Sequence, residues 1–502
     1  MTDINRRTFI KATASLAAAN ATGTGLGGAL PVGIPAHPRK QGAAKTIGIQ
    51  IPAVSFVDEG VNGVLDTVQE RAGVNTLFLT VLAFNEGLAG RQLKGYALPD
   101  HGKQAHNEDF RGGYYATLRP QYHKNPLYRH FRAPDHGDFD LLAEVLPEAK
   151  KRGLQTVVFL ADNLRSSIPG AEKLTERDLG GKPTHEVCLN NSRYQELLMG
   201  ILEDCVRSYD VDGVLYRSER IGPLSKTLGL NHFGPSPAVC FCQYCAAKAK
   251  KADIRSDRVR QGYEALAGFV KDSRAGKRPN DGYYVQFWRI LLKHPEILQW
   301  QTFQTESMQE LYRAVYSKVK GVKPNLPVGW AVALNNNLNP IYRAEQDWQE
   351  LSKYSDFLKV VMYHNVGGPR MVKYIDNLGS AMMADLPREQ LLAWEYAVMN
   401  YQERGYDQIA HTGFSSDYVY REAKRASGGV AGTNTKIWAG IDVDLPTEEN
   451  HTKATPQSIK GAVAAAFRGG AHGIVLARKY SEMRLASLNA VGEAIRELGS
   501  GH

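Results

Sequence analysis

The sequence is poor in cysteine and has no long apolar run. Only five of its 502 residues are cysteines, too few for a disulfide scaffold in a chain of this size. No segment approaches the ~20 consecutive apolar residues that a membrane-spanning helix needs, so we expect no stable transmembrane anchor. The formal net charge is +9, but the lysines and arginines do not form a stripe interleaved with aromatics. Nucleic-acid binding is therefore not indicated.

Motifs of cofactor and nucleophile chemistry are also missing beyond residue 44. That part of the chain has no Gly-rich phosphate loop, no G-x-S-x-G elbow and no H-E-x-x-H motif. We therefore expect no organic cofactor. The hydrophobic fraction of 43% and the charged fraction of 23% are typical of a globular enzyme.

The N-terminus has the pattern of an export signal. Arg6 and Arg7 are followed by a weakly apolar stretch rich in Ala, Thr and Gly, with a small-residue site near Ala19 to Ala21. This pattern predicts a twin-arginine signal peptide and linker over residues 1–44. The twin-arginine export machinery is then a partner, and the mature protein, residues 45–502, is periplasmic or secreted.

Eight apolar, β-branched runs alternate with helical stretches along the mature chain. They are Lys45–Ile51, Asn75–Leu82, Gln155–Ala161, Val211–Arg217, Leu326–Leu334, Phe357–His364, Lys436–Asp444 and His472–Lys479. Continuous apolar strands that alternate with helices indicate a parallel sheet buried on both faces. Eight such units predict the α/β class and a (β/α)8 TIM barrel.

Polar residues cluster just after these strands, where the active sites of such barrels lie. Two long insertions follow strands, at 85–138 and at 231–325, the second containing a Cys-rich loop and helices. The first is rich in Gly, Tyr and His and carries "PDHG" twice, so we interpret it as a wall of the site. His136, in the second copy, is a candidate sugar-binding residue.

The stretch "CFCQYC" gathers three of the thiols, Cys240, Cys242 and Cys245. Structural zinc needs four Cys or His ligands, and Cys188 follows the third strand on the same side of the barrel, with His232 in reserve. Cys205 lies at helical spacing among Leu and Val, as expected of a buried free thiol. Disulfides and unbound reduced thiols are the alternatives to zinc.

The order of these features resembles a known family. A cysteine, an Asn-rich turn, a helix, a strand ending in Glu and then C-x-C-x-x-C are similar to the metal-binding, acid/base-bearing region of the glycoside hydrolase family 42 β-galactosidases. Phrases such as "RAPDHGDFD", "DVDGV" and "RKYSEMRLASL" resemble exported barrel-type hypothetical glycosyl hydrolases of bacteria. The resemblance implies a structural zinc on Cys188, Cys240, Cys242 and Cys245 and an oligo- or polysaccharide substrate. The chain departs from family 42 at Ser218, which replaces the usual Asn before Glu219, and it has no clear nucleophilic Glu closing the seventh strand.

Glycoside hydrolysis needs two carboxyl groups flanking one bond. Glu219, after the fourth strand, is the expected general acid/base; as an acid it needs a raised pKa, so Arg217 should face the substrate or Asp442 instead of Glu219. Asp444, at the end of the seventh strand, is the expected nucleophile or base. Asp442, on the same strand face, is its partner, and Glu482 in "KYSEM" is its rival.

Further strand-end residues are candidates for binding sugar. Asp162 and His364 suit hydroxyl groups, whereas Tyr363, Trp330 and Tyr480 suit stacking on sugar faces, although core packing explains the aromatics equally well. The sequence therefore predicts an exported glycoside hydrolase. The alternatives are a non-catalytic carbohydrate-binding barrel and a carbohydrate lyase or epimerase that uses His364 or Tyr363 as its base.

Overall fold

The computed structural model describes residues 45–164 and 168–500, and the predicted export signal lies outside these ranges. Eight strands, numbered here β1 to β8, form a parallel barrel. They are β1 Thr46–Pro52, β2 Thr76–Ala83, β3 Gln155–Ala161, β4 Gly213–Arg217, β5 Val328–Val332, β6 Phe357–Val361, β7 Lys436–Asp442 and β8 Gly473–Ala477. Strand β1 pairs with both β2 and β8 in parallel, which closes the sheet. The (β/α)8 barrel predicted from the alternating runs is thereby confirmed.

Helices surround the barrel and fill its connections. The longer ones are Val61–Ala72, Leu141–Lys151, Ser192–Ser208, Ser256–Arg274, Tyr283–Lys293, Glu296–Val322, His364–Leu378, Arg388–Met399, Ser416–Gly429, Pro456–Arg468 and Leu485–Ser500. Shorter ones are Ala53–Glu59, Glu86–Ala89, Pro223–Leu228, Gln243–Lys251, Pro340–Ala344, Trp348–Ser352 and Tyr406–Thr412. Among the described residues, no helix combines the length and apolarity needed to cross a bilayer.

Strand alternation decides which side chains enter the barrel. On β7 the inward side chains include Trp438, which stacks on Phe357 with ring centroids 3.9 Å apart. Gly440 follows two residues on, and a Cβ there would lie 3.1 Å from Cε of Lys359. Glycine at this position therefore gives the long Lys359 side chain room to run through the interior of the barrel.

The 85–138 segment packs mainly on itself and on the barrel. Its short strand Gly113–Tyr114 pairs antiparallel with the end of β2, and its Tyr114, Tyr115 and Phe131 are buried. Its beginning reaches the cavity that holds Glu219, through Asn85, Gly87 and Leu88, and residues between Gln92 and Pro99 line a second cavity. Most of the aromatic residues that led us to predict a wall of the site serve as the core of this segment instead.

Candidate active site

A cavity of about 750 Å³ opens at the carboxyl ends of the barrel strands. Segments following or ending all eight strands contribute to its lining, from Gln50 of β1 to Arg478 after β8. Its charged residues are Arg217, Lys226, Lys359, Arg370, Arg478, Asp178, Glu186 and Glu219. This is the position and size expected of a substrate site in such a barrel.

Glu219 lines this cavity, and Arg217 donates a hydrogen bond to its carboxylate. Burial alone would raise the pKa of Glu219, but the charges of Arg217, Lys359 and Arg370 outweigh burial and hold the pKa below its usual value. The expectation that Arg217 faces away from a protonated Glu219 is therefore wrong. Glu219 is a carboxylate at neutral pH, which suits a nucleophile or base rather than a resting acid.

Asp444 and Glu482 do not line the cavity that holds Glu219. Both line a second cavity of about 730 Å³, and only Leu445 lines the two cavities in common. Asp444 accepts hydrogen bonds of 3.0 and 2.6 Å from the Arg484 guanidinium. Glu482 accepts bonds of 3.1 and 2.8 Å from Arg478. The prediction that Glu219 and Asp444 converge on one bond is wrong, because the two residues line different cavities and each is held by a different arginine.

Asp442 projects inward from the end of β7 but is fully buried. Its two oxygens accept hydrogen bonds from the backbone N–H of Val366 at 2.8 Å and of Leu445 at 3.1 Å. Burial outweighs these bonds and raises the pKa of Asp442 to about 7. Its contacts make it a link between the first turn of helix His364–Leu378 and the loop after β7, with no surface on the cavity.

Two of the three predicted stacking platforms are inside the core. Trp330 points outward from β5 and stacks on Tyr312 at 4.3 Å. Tyr480 is fully buried, and its hydroxyl donates to Glu59 at 3.1 Å. Only Tyr363 lines the cavity, so the sugar-stacking role predicted for Trp330 and Tyr480 is wrong.

Three predicted sugar-binding residues also lie away from the cavity lining. Asp162 is buried and accepts from Ser218 at 2.7 Å and from Arg220 at 2.8 Å, which makes it part of a buried ion pair. His364 is buried, and neither ring nitrogen has a hydrogen-bond partner among the described residues. His136 lies within the 85–138 segment, with its ring 5.8 Å from that of Tyr115.

Several lining residues were not predicted from the sequence, among them Phe233, Lys359, Arg370 and Arg478. Phe233 is 82% exposed, and its position beside His232 in an insertion was a signal for a surface platform. Lys359 is an inward side chain of β6, which a count of strand faces would have found. Arg370 follows β6 without any local motif, whereas Arg478 begins the phrase "RKYSEMRLASL" quoted above.

The four predicted thiols come together as one buried cluster. The Sγ atoms of Cys188, Cys240, Cys242 and Cys245 all lie within 4.8 Å of one another. Cys188 Sγ is 3.4 Å from Cys242 Sγ and 3.6 Å from Cys245 Sγ. A tetrahedron with metal–sulfur bonds of about 2.3 Å has edges of about 3.8 Å, so the arrangement fits a four-thiolate metal centre. Cys205 and His232 are not members of this cluster.

Backbone and side-chain donors surround the sulfurs. The backbone N–H of Arg177 donates to Cys240 Sγ at 3.3 Å, and Nδ2 of Asn190 donates to Cys245 Sγ at 3.3 Å. Such bonds stabilise the negative charge of thiolates. The cluster connects the hairpin formed by Thr175–Arg177 and Pro183–Val187 to the start of helix Gln243–Lys251, next to the cavity wall at Glu186 and Val239.

No protein-family model and no curated protein matches the chain. Among solved structures, a β-galactosidase from the Antarctic haloarchaeon Halorubrum lacusprofundi is similar, with a TM-score of 0.51 and 13% identity over 91% of this chain and 58% of that one. An α-L-fucosidase from Paenibacillus thiaminolyticus has a TM-score of 0.45 and 13% identity over 91% of this chain. The PgaB glycoside hydrolase domain from Bordetella bronchiseptica has a TM-score of 0.48 and 11% identity over 87% of this chain and 94% of that domain. The chain spans about half (49%) of the fucosidase, and at these identities the likeness describes the fold.

Proposed function

We propose that the protein is a glycoside hydrolase whose active site is the cavity at the carboxyl ends of the barrel strands. The observation that carries this proposal is the Glu219 carboxylate, held by Arg217 in the lining of the cavity. The exposed Phe233 ring lines the same cavity and suits stacking on a sugar face. The barrel shared with the β-galactosidase is consistent with this function.

Glu219 acts in this proposal as the nucleophile or the base that activates water. The proton for the departing sugar oxygen comes from a group that titrates near neutral pH. Lys359 lines the same cavity, and burial, reinforced by the charge of Arg217, lowers its pKa to about 7. Lys359 therefore holds a transferable proton at neutral pH, and it takes the acid role that we first assigned to Glu219.

The test is a hydrolysis screen over a glycan library, scored by the release of reducing ends. Glu219→Gln should lower turnover by about 10²–10⁴-fold, the usual contribution of a group of this kind. Glu306→Gln, on the exposed face of helix Glu296–Val322, is the matched control and should leave turnover unchanged. If wild-type protein bound glycans without releasing reducing ends, the alternative of a non-catalytic sugar-binding barrel would replace this proposal.

A lyase is the second candidate, because Lys359 in its neutral form is a base. The pH dependence separates the two activities. Hydrolysis that uses protonated Lys359 should decline above pH 7, the pKa to which burial lowers this lysine. Elimination that uses neutral Lys359 should rise over the same range and yield an unsaturated sugar, which ultraviolet absorbance detects.

We further propose that the protein is exported in its folded state by the twin-arginine route, on the basis of Arg6 and Arg7. A metal bound by the four thiols in the cytoplasm would travel with the folded chain. The identity of that metal is proposed to be zinc, because four thiolates in a tetrahedron suit zinc.

A further inference from the structure

We propose that the cavity binds an anionic group on its sugar substrate, a carboxylate or a sulfate ester, at a subsite centred on Arg370, with Lys359 adding positive charge to the same cavity. This proposal rests on the proposed carbohydrate function of the same cavity and names the class of substrate as an acidic glycan. Three observations support it: the balance of charges in the cavity lining, the lack of a paired carboxylate for Arg370 and Lys359 among the described residues, and the shapes of their cationic groups.

Most cations in the lining have a carboxylate of their own. Arg217 pairs with Glu219, Lys226 pairs with Glu186, and Arg478 pairs with Glu482 at 2.8 Å from outside the cavity. The remaining lining carboxylate, Asp178, accepts the backbone N–H of Lys182 at 2.8 Å in its own turn. After these pairings, Arg370 and Lys359 are the cations left over.

Arg370 has neither an ion pair nor a hydrogen bond among the described residues. It lies in the second turn of helix His364–Leu378, is partly buried, and lines the cavity. Burial, and then the charge of Arg478, lower the pKa of Arg370, while the Asp442 and Glu219 carboxylates oppose that shift without forming an ion pair with it. A partly buried guanidinium without a paired carboxylate gains from an anion that binds beside it, because buried charges are normally paired.

Lys359 reaches the cavity from the interior of the barrel. Its Nζ donates to the neutral Oε1 of Gln50 and lies 6.0 Å from the ring centroid of Tyr363. The nearest carboxylate charge acting on it is Glu219, which Arg217 already neutralises.

The chemistry of the Arg370 guanidinium and the Lys359 ammonium favours an oxyanion as the ligand. The planar fork of a guanidinium matches a carboxylate or a sulfate with two parallel hydrogen bonds, and an ammonium adds a point charge. A neutral sugar would exclude water from both cations and offer them no counter-charge. The lining therefore favours a uronic acid or a sulfated sugar over its neutral parent.

The experiment measures binding of three probes by calorimetry at equal ionic strength: glucuronate, glucose 6-sulfate and glucose. Wild-type protein should bind at least one of the two acidic probes about tenfold or more tightly than glucose, as expected for a charge-assisted pair. Preference for glucuronate identifies the source as a uronate, and preference for the sulfate identifies a sulfated sugar. Equal binding of all three probes would overturn the proposal.

Variants locate the subsite. Arg370→Gln should remove the preference for the acidic probe, whereas Arg370→Lys should retain part of it. Arg289→Gln, an exposed arginine paired with Asp281 at 2.6 Å on a remote helix, is the matched control and should bind as wild type does. If Arg370→Gln kept its fold by circular dichroism and also kept the full preference, the subsite would not be at Arg370.

The test of the anion subsite can be distinguished from the test of the proposed hydrolysis. Loss of the acidic preference in Arg370→Gln without any glycan cleavage by wild type would support the subsite and refute the hydrolase. Cleavage of neutral glycans that is indifferent to Arg370→Gln would support the hydrolase and refute the subsite.

Discussion

Glu395 shows how burial sets the charge of a single residue. It lies in helix Arg388–Met399, is fully buried, and has one hydrogen bond, from the Tyr374 hydroxyl at 3.4 Å. Burial raises its pKa to about 8. Because the folded protein holds this proton and the unfolded chain releases it near pH 4.5, this contribution to stability is complete below that pH and is lost as the pH rises to about 8.

Glu395→Gln should therefore stabilise the protein at pH 8 and have little effect at pH 4.5. The neutral amide never ionises, so the expected gain in the free energy of unfolding is about 1–3 kcal/mol at pH 8, within the limit of about 1.4 kcal/mol per pH unit. Denaturant unfolding at both pH values measures it, with Glu306→Gln as the exposed control. A variant whose change in stability was the same at both pH values would contradict the raised pKa of Glu395.

At the residue scale, the position of Glu219 was easier to predict from the sequence than its protonation state. Glu219 follows β4 as expected, because the end of a strand is visible in the apolar pattern. Its ionised state depends on Arg217, two residues before it, and on Lys359 and Arg370, which lie much further along the chain. Asp444 was misassigned because two residues past a strand end, at φ +57°, its side chain no longer follows the strand alternation.

Among the elements, the four-thiol cluster fastens the hairpin ending at Val187 to the loop before helix Gln243–Lys251. Cys242→Ser should release the metal and lower the unfolding temperature, because a tetrahedral site does not tolerate the loss of one thiolate. Elemental analysis should give about one zinc per wild-type chain, by the four-ligand rule, and much less in the variant.

The control for this prediction is Cys205→Ser. Cys205 is buried in helix Ser192–Ser208, away from the cluster, so its variant should keep full metal content whatever it does to stability. Wild-type protein that contained no metal and presented four reactive thiols would contradict the metal centre.

Element positions were predictable where periodicity is strong, and side-chain directions were less so. Six strands lie within the runs read from the sequence, and β1 and β2 each extend one residue past theirs, since parallel strands buried on both faces leave continuous apolar segments. The same continuity hides which residues point inward. Trp330 was misassigned for this reason: a tryptophan in an all-apolar strand packs equally well against a helix, and here it stacks on Tyr312.

On the scale of the whole molecule, the proposed export rests on residues outside the described ranges. Changing Arg6 and Arg7 together to Lys should retain the protein in the cytoplasm if the twin-arginine route is used, because that route reads the arginine pair rather than the charge. Cell fractionation measures this. Arg39→Lys, in the same leader segment, should leave delivery unaffected, and normal delivery of the double variant would refute the route.

The lining of the cavity has a consequence for the order of synthesis. Gln50 belongs to the first barrel strand and Arg478 follows the eighth, while Lys359 on the sixth strand bonds to Gln50 across 309 positions of sequence. The ribosome synthesises these three residues far apart in time. Strand β1 completes its pairing only when β8 is available. A nascent or truncated chain that lacks β8 therefore has no assembled cavity, so an incomplete translation product should be inert rather than partly active.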